Sequence, residues 1–394
     1  MIAEYPDGVG ADQPSSTTTM VSEKKVYNYS ISEFRDDIRF VLVDQPVGVM
    51  FVFTNCVWKC IISKNSLILD DKSLELDCYS AELIETESLI AAFENESNCL
   101  VILDYQLERV RLIEGVRGPS FLQSMSWTST TWPETYNNKS TAEGGPKNQH
   151  GQVVWLKGNH QAALMNVVSG EEAGRAPLFG TVNSYSEHVP LLAAYSAGTF
   201  MGFGFELNDF WLTWIKGESQ KMSKPIHQAI PEARNLLSLH LTQSGEYAVC
   251  LLSSSRELSQ STVLLAVFAL GDSLRLLDYR RVGAFSPDFL PRLNKSPDAR
   301  LFVLNLGQKV EVFSFSEKQK RLQQVHQVEG LAAEPISWVS VTTGKRELKG
   351  MSAVGMIAAG SNPSQRRITT YSLYLFPRSS SGFCRIDVSL PSDV

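Results

Sequence analysis

The run DFLPRLNKSPDARLFVLNLGQKVEVFSFSEKQKRLQQVHQV, Asp288 to Val328, decides how the whole chain is read. Asp288–Leu293 reads as a first strand, and Asn294–Asp298 as a turn in which Pro297 presets its φ. Leu301–Leu304 is a second strand, and Leu306-Gly307 a tight reversal. Lys309–Phe315 follows with Val310, Val312 and Phe313 apolar, then the charged turn Glu317–Lys320 and the polar strand Arg321–Val325. Four antiparallel strands, apolar inside and charged outside, fit in about 40 residues, the size of one propeller blade.

Working outward, a second unit aligns at 236–283: Leu236–Leu241, the turn Thr242–Gly245, Glu246–Leu252, a polar loop, Thr262–Phe268, Gly271-Asp272 and Leu274–Tyr279. Ser244-Gly245 and Pro297-Asp298, 53 residues apart, precede equivalent strands in this alignment. Looser copies fall at 38–80, 81–123, 124–180, 187–228 and 330–376, which makes seven units. Elsewhere too, short runs rich in Val, Ile, Leu, Phe and Tyr end in Gly, Asn, Asp or Ser. Glu82–Phe93 can be scanned as a helix, but its apolar positions fit a strand after a turn equally well.

The segment Ser296–Phe313, with Ser-Pro-Asp-Ala leading into an apolar strand, a short turn and a second strand, resembles the middle of a WD40-type blade. Ala299 stands where that family often has Gly, Phe313-Ser314 stands where it has Trp-Asp, and Gly-His dipeptides are absent. The resemblance implies an all-β chain, a single seven-bladed WD40-like β-propeller over 23–394 behind a disordered leader at 1–22. Lys24–Ile31 alternates and is placed to pair with Tyr371–Phe376 and Phe383–Leu390, closing the ring so that no edge strand is left open. Two stacked β-sandwiches are the rival architecture.

Composition narrows the function classes. Residues 1–120 hold 20 Asp/Glu and 10 Lys/Arg, a net of −10, whereas the remainder holds 22 acids and 26 bases, a net of +4. An acidic flank and a mildly basic one would orient a partner electrostatically, without the footprint of a strongly basic nucleic-acid binder. The six cysteines show no framework spacing, which suits reduced thiols in a cytoplasmic or nuclear protein. Met1–Met20 has no apolar signal region, and the four sequons at Asn28, Asn95, Asn138 and Asn294 are read as chance matches. Val263–Leu270 is too short to span a bilayer.

No catalytic, cofactor or metal set emerges. Cys56 and Cys60 form at best half a zinc site, and no acidic pair lies near His150 or His160. Gly198–Gly204 lacks the third glycine and the helix of a dinucleotide cradle, and Gly344-Lys345-Arg346 lacks the frame of a phosphate loop. Asp44, Asp104 and Asp278 are read as turn caps. The candidate partner-binding residues are aromatic and basic. Trp132 and Tyr136 sit at the head of a polar insertion, 128–152, read as a docking arm or a disordered loop. Trp211 and Trp214 come from an aromatic run at Phe200–Trp214, and tryptophan is a typical interface anchor. Lys345, Arg346, Arg366 and Arg367, with Lys318–Arg321, supply the basic clusters.

The expected function is that of a non-enzymatic scaffold mediating protein–protein contacts within a eukaryotic multiprotein complex, with no cofactor, small-molecule substrate or membrane insertion. The alternative is an accessory subunit that holds nucleic acid beside a catalytic partner. A third reading, an enzyme with a site in the ring, requires carboxylates or histidines clustered at the central channel.

Overall fold

The computed structural model describes residues 27–30, 38–63, 67–94, 97, 99–114, 122–127, 149–157, 161–167, 170, 172–177, 193–196, 199–206, 209–216, 219–255, 262–284, 289–329, 336–344, 368–377 and 382–391. Among them, the strands form seven four-stranded antiparallel sheets, which are the blades. The helical pieces among them are single 3-10 turns such as Glu85–Glu87 and Ile226–Gln228.

Strand β1 (Tyr27–Ser30) belongs with the last blade. Blade 1 is β2 (Phe40–Asp44), β3 (Val49–Phe53), β4 (Cys56–Ile62) and β5 (Leu67–Glu75); blade 2 is β6 (Cys78–Ile84), β7 (Leu89–Glu94), β8 (Cys99–Asp104) and β9 (Arg109–Ile113). Blade 3 is β10 (Leu122–Trp127), β11 (Gln149–Lys157), β12 (Gln161–Asn166) and β13 (Glu172–Pro177); blade 4 is β14 (Ala193–Ser196), β15 (Thr199–Glu206), β16 (Asp209–Lys216) and β17 (Ser219–Met222). Blade 5 is β18 (Asn235–Leu241), β19 (Tyr247–Ser253), β20 (Thr262–Leu270) and β21 (Leu274–Ala284); blade 6 is β22 (Arg292–Lys295), β23 (Leu301–Asn305), β24 (Lys309–Ser316) and β25 (Arg321–Glu329). Blade 7 is β26 (Ile336–Gly344), β27 (Ile368–Pro377) and β28 (Gly382–Pro391), completed by β1.

The core lies between blades, and strand periodicity explains why. Along β19, Ala248, Cys250 and Leu252 pack toward blade 4, while Val249 and Leu251 pack toward blade 6. Successive side chains leave opposite faces of a strand, so a middle strand covered on both sides reads as an unbroken apolar run. Fourth strands face solvent on much of their length, and Asp71, Lys72 and Glu75 of β5 and Arg109 of β9 are exposed accordingly.

The N-terminal strand closes the ring. Tyr27 pairs with Arg385 and Ser30 with Gly382, so β28 lies between β27 and β1. Of the two C-terminal segments expected to receive it, only Phe383–Leu390 does so. The expected leader at 1–22 lies outside the described residues.

Several boundaries move for local reasons. Strand β22 starts at Arg292 instead of Asp288, because Pro291 has no N–H for the ladder. Strand β25 runs to Glu329, its polar residues held by backbone pairing with β24. The end of the polar insertion is strand: β11 begins at Gln149, which pairs with Trp127. The seventh unit extends past 376 to Pro391. Finally, the turns of blades 5 and 6 align at Gly245 and Ala299, one residue from the expected register. Gly245 N–H donates to Thr242 O at 3.0 Å and Ala299 N–H to Ser296 O at 2.8 Å. Both are left-handed, with φ of +66° and +51°. The position that favours glycine is therefore filled by alanine in blade 6.

Candidate functional site

First strands touch first strands around the ring: β2 meets β26 and β6, β18 meets β14 and β22, and β22 meets β26. They form the wall of the central channel, where a first strand's polar side chains meet those of other blades.

On β18, His240 is half-buried, and its Nε2 lies 2.7 Å from Leu293 O and 3.0 Å from Ser238 Oγ. A carbonyl only accepts, so Nε2 carries the proton. Burial and then the charge of Lys295 push this imidazole down to about 4, so it is neutral at pH 7. A histidine whose Nε2–H is committed to the backbone is a structural donor, not a free base.

Lys295 on β22 is also half-buried, and its ammonium makes no hydrogen bond or ion pair with a described residue. Burial pulls its ammonium below the usual lysine range, and the charge of Glu82, on β6 of blade 2, opposes that fall. Arg292, three residues earlier, leaves the opposite face of the strand. Its guanidinium stands 5.0 Å from the ring centroid of Trp338 on β26, and burial lowers its pKa. Trp338 in turn donates from Nε1 to Val41 O of β2 at 3.2 Å. Asn294 Nδ2 donates to Val339 O at 3.0 Å, and Thr342 Oγ1 to Gln45 Oε1 at 2.6 Å. The wall of blades 5 to 7 is thus lined with cations and hydrogen-bonded across every seam. It suits a negatively charged or aromatic group.

Catalytic chemistry finds little footing here. Asp44 caps a turn and accepts from Tyr105 Oη at 2.7 Å; Asp104 Oδ1 accepts from the N–H groups of Gln106 and Glu108 at 2.8 and 2.9 Å. Asp278 meets Arg280 at 3.4 Å. Burial pushes the Cys78 thiol up to about 12 and that of Cys250 higher still. Cys60 is buried and Cys56 half-buried, and neither forms a disulfide. Among the described residues, no group of three His, Cys, Asp or Glu side chains is placed to hold a metal ion.

Of the expected partner-binding residues, Trp132, Tyr136, Lys345, Arg346, Arg366 and Arg367 lie outside the described residues. Trp211 is half-buried on β16. Trp214 requires a correction: at 1% exposure it packs in the core between blades 4 and 5, with Met201 and Leu239. It is an anchor between blades and offers no surface to a partner. Lys318–Arg321 is exposed on the β24–β25 hairpin. The channel residues His240, Lys295, Arg292 and Trp338 were not singled out in the sequence. The signal for the first three was the polar residues set among the leucines of NLLSLHL and RLNK, the first strands of the two clearest blades.

Two solved structures show the same arrangement. The crystal structure of RRP9 WD40 repeats superposes with a TM-score of 0.53 at 10% identity, covering 92% of this chain and 99% of that one. The structure of U3-55K gives 0.54 at 10% identity, covering 92% and 98%. No protein-family model matches the sequence, and no curated protein matches it. With seven four-stranded blades, a terminal strand closing the ring and this superposition over nearly the whole chain, the protein has the fold of a divergent WD40-like β-propeller.

Proposed function

We propose that the chain is a non-enzymatic scaffold that holds protein subunits of a larger complex, docking one of them at the channel mouth of blades 5 to 7. The observation that carries this reading is the commitment of the channel's polar groups. His240 and Asn294 are spent on backbone carbonyls of the next blade and Arg292 stacks on Trp338, while Lys295 remains as a cation available to a ligand's acidic groups, with the guanidinium edge of Arg292 beside it. A rigid ring with charged walls and no nucleophile–base pair among these groups is suited to binding rather than turnover. The WD40 neighbours support a protein-binding role by analogy of fold, and a cytoplasmic or nuclear setting is part of the same proposal. Among the described residues no helix is long and apolar enough to cross a membrane.

The test is affinity purification of the full chain from its native cells, with cross-linking mass spectrometry. Stoichiometric partners cross-linked to blades 5 to 7, and released by Arg292→Glu with Lys295→Glu, are expected. A protein that purifies alone at its monomer mass overturns the proposal.

A second reading, nucleic-acid binding beside a catalytic partner, is favoured by charge alone. Residues 235–394 hold 18 Lys/Arg against 13 Asp/Glu, a net of +5, with Lys318, Lys320 and Arg321 exposed. It requires binding to single-stranded RNA that falls steeply with salt. Failure to bind at low salt removes it.

A further inference from the structure

Three connections of blades 6 and 7 meet at one end of the ring. The turn between β22 and β23, Ser296–Arg300, touches blade 7 there. Tyr371 Oη donates to Asp298 Oδ2 at 2.7 Å, and the charge of Arg300 also reaches that phenol. Arg300 O accepts from Phe315 N–H at 3.0 Å, which sets the β24–β25 turn, Glu317–Lys320, at the same end of the blade. Tyr371 pairs with Thr343, next to Gly344, where the chain leaves β26. It re-enters at Ile368, the start of β27, three residues before Tyr371.

This end is cationic. Residues 292–321 hold 7 Lys/Arg against 3 Asp/Glu, a net of +4. Two of those acids are committed: Glu311 is buried against Lys309, and Asp298 accepts from Tyr371 and Ser296. Lys318, Lys320 and Arg321 are exposed, and neither lysine ammonium makes a hydrogen bond or ion pair with a described residue. The covalent chain adds to the charge. Lys345 and Arg346 follow Gly344 and Arg366 and Arg367 precede Ile368, which keeps their Cα atoms within about 7 Å of those strand ends. Apolar anchors are scarce by comparison. Among the described residues, the large apolar side chains exposed on blades 6 and 7 come down to Leu290, which precedes β22 and so lies toward the opposite end. Phe315 and Tyr371 are buried.

A protein interface is centred on apolar or aromatic anchors, a base-stacking platform on aromatic rings, and a membrane-lying surface on an apolar face. Among its described residues this end offers exposed cations and none of those. A phosphate backbone requires only the cations, since its contacts are electrostatic and indifferent to base. We infer, building on the nucleic-acid reading above, that Lys318, Lys320 and Arg321 bind the phosphates of an RNA strand without reading its sequence. These residues belong to the outer strands of blade 6, whereas Lys295 lines the channel on the first strand, so the two places take different ligands.

The test is fluorescence anisotropy on the full chain with labelled oligouridine and oligocytidine of about 20 nucleotides, across a range of salt. Both are expected to bind at low salt, within about threefold of each other. Lys318→Glu with Lys320→Glu, with circular dichroism and melting unchanged, is expected to weaken both about tenfold. It should also lower the slope of log affinity against log salt by about 1, because two phosphate contacts are lost. Lys72→Glu with Lys224→Glu makes the same change in net charge on other blades and should leave affinity within about twofold. If neither RNA binds at low salt, the nucleic-acid reading and this inference fall together. If RNA binds but the Lys318, Lys320 variant keeps the parent's affinity and slope, or the control variant loses as much, the inference alone is overturned. It is also overturned if the two RNAs differ by more than about tenfold. The same holds if a labelled peptide alternating glutamate and serine, or a phosphatidylserine vesicle, binds as tightly as RNA and is lost in the same variant.

Discussion

The seam between blades 1 and 2 and the seam between blades 6 and 7 use the same device and support it differently. In each, a tyrosine hydroxyl crosses from one blade to an aspartate at a turn of its neighbour: Tyr105 Oη to Asp44 Oδ2, and Tyr371 Oη to Asp298 Oδ2, both at 2.7 Å. Burial, then the bonded carboxylate, raises both phenols far above the ordinary tyrosine range. Asp44 is almost completely buried, and its other bond is a long one from Val47 N–H at 3.3 Å. Asp298 is more open and also accepts from Ser296 Oγ and Arg300 N–H. Around Asp298 the seam is tied by side chains as well: Asn305 Nδ2 donates to Ile336 O at 2.9 Å, and Asn294 spans to Val339. The first seam relies on apolar contact, one buried polar bond at Asp44 and, farther out, the Lys59–Gln106 bond at 3.1 Å, whereas around Asp298 the second shares its polar load among several donors. A single lost contact should therefore cost more at the first.

Truncating that apolar contact is the strongest way to break the comparison. Phe51 is completely buried, with its ring 5.0 Å from that of Tyr105. Phe51→Ala should cost about 3–5 kcal/mol in urea unfolding, the usual range for a buried phenylalanine. A loss near 1 kcal/mol would mean that the seam relaxes into the space.

Next comes acid, which acts on the basic side. The folded pKa of His240, about 4, lies below the ordinary value of 6.5. The unfolded chain therefore takes up this proton first, so the stability is complete above pH 6.5 and is lost as pH falls from there toward 4. The full loss is about 3 kcal/mol. His240→Gln keeps a side-chain donor and should flatten this part of the melting-temperature profile. An unchanged profile would assign the loss to other groups.

The tyrosine pair tests the comparison head to head. Tyr105→Phe leaves Asp44 with one weak donor in a buried place and should cost about 2–3 kcal/mol. Tyr371→Phe leaves Asp298 two donors and should cost about 1 kcal/mol. Equal losses by denaturant titration would erase the distinction drawn between the seams.

The smallest effect concerns the blade 6 turn. Ala299→Gly relieves about 1–2 kcal/mol of left-handed strain. It also adds about 0.4–1 kcal/mol of unfolded-state entropy and removes a buried methyl group. The net change should stay within about 1 kcal/mol. A larger gain would show that the methyl group contributes nothing to the packing toward blade 5.

Much of the fold was legible because it is local. A blade is four strands joined by short turns, so Asp288–Val328 carries its own pattern of turn residues and apolar runs. Gly245 and the Ser-Pro-Asp-Ala turn mark where strands reverse, whatever surrounds them. Boundaries slipped where backbone pairing, not side-chain chemistry, set them: β25 continues through Gln327 to Glu329, and β11 starts at Gln149 in a run that reads as polar loop. The site was much less legible. Trp214 looks like an anchor in the sequence, but only the position of blade 5 shows that its ring is covered.

The sequence by itself determined the repeating unit, the closing strand near the N-terminus and the split between an acidic first part and a basic remainder. Those are properties of neighbouring residues or of simple counts. The tertiary structure alone decided which charges share a wall and which apolar side chains remain in solvent. Trp338 bonds to Val41 O across 297 residues of chain, and Lys295 feels Glu82 across the ring. Such pairs exist because closure brings the first strands together around one axis, while the fourth strands spread apart at the rim and leave Ile68 and Leu112 uncovered.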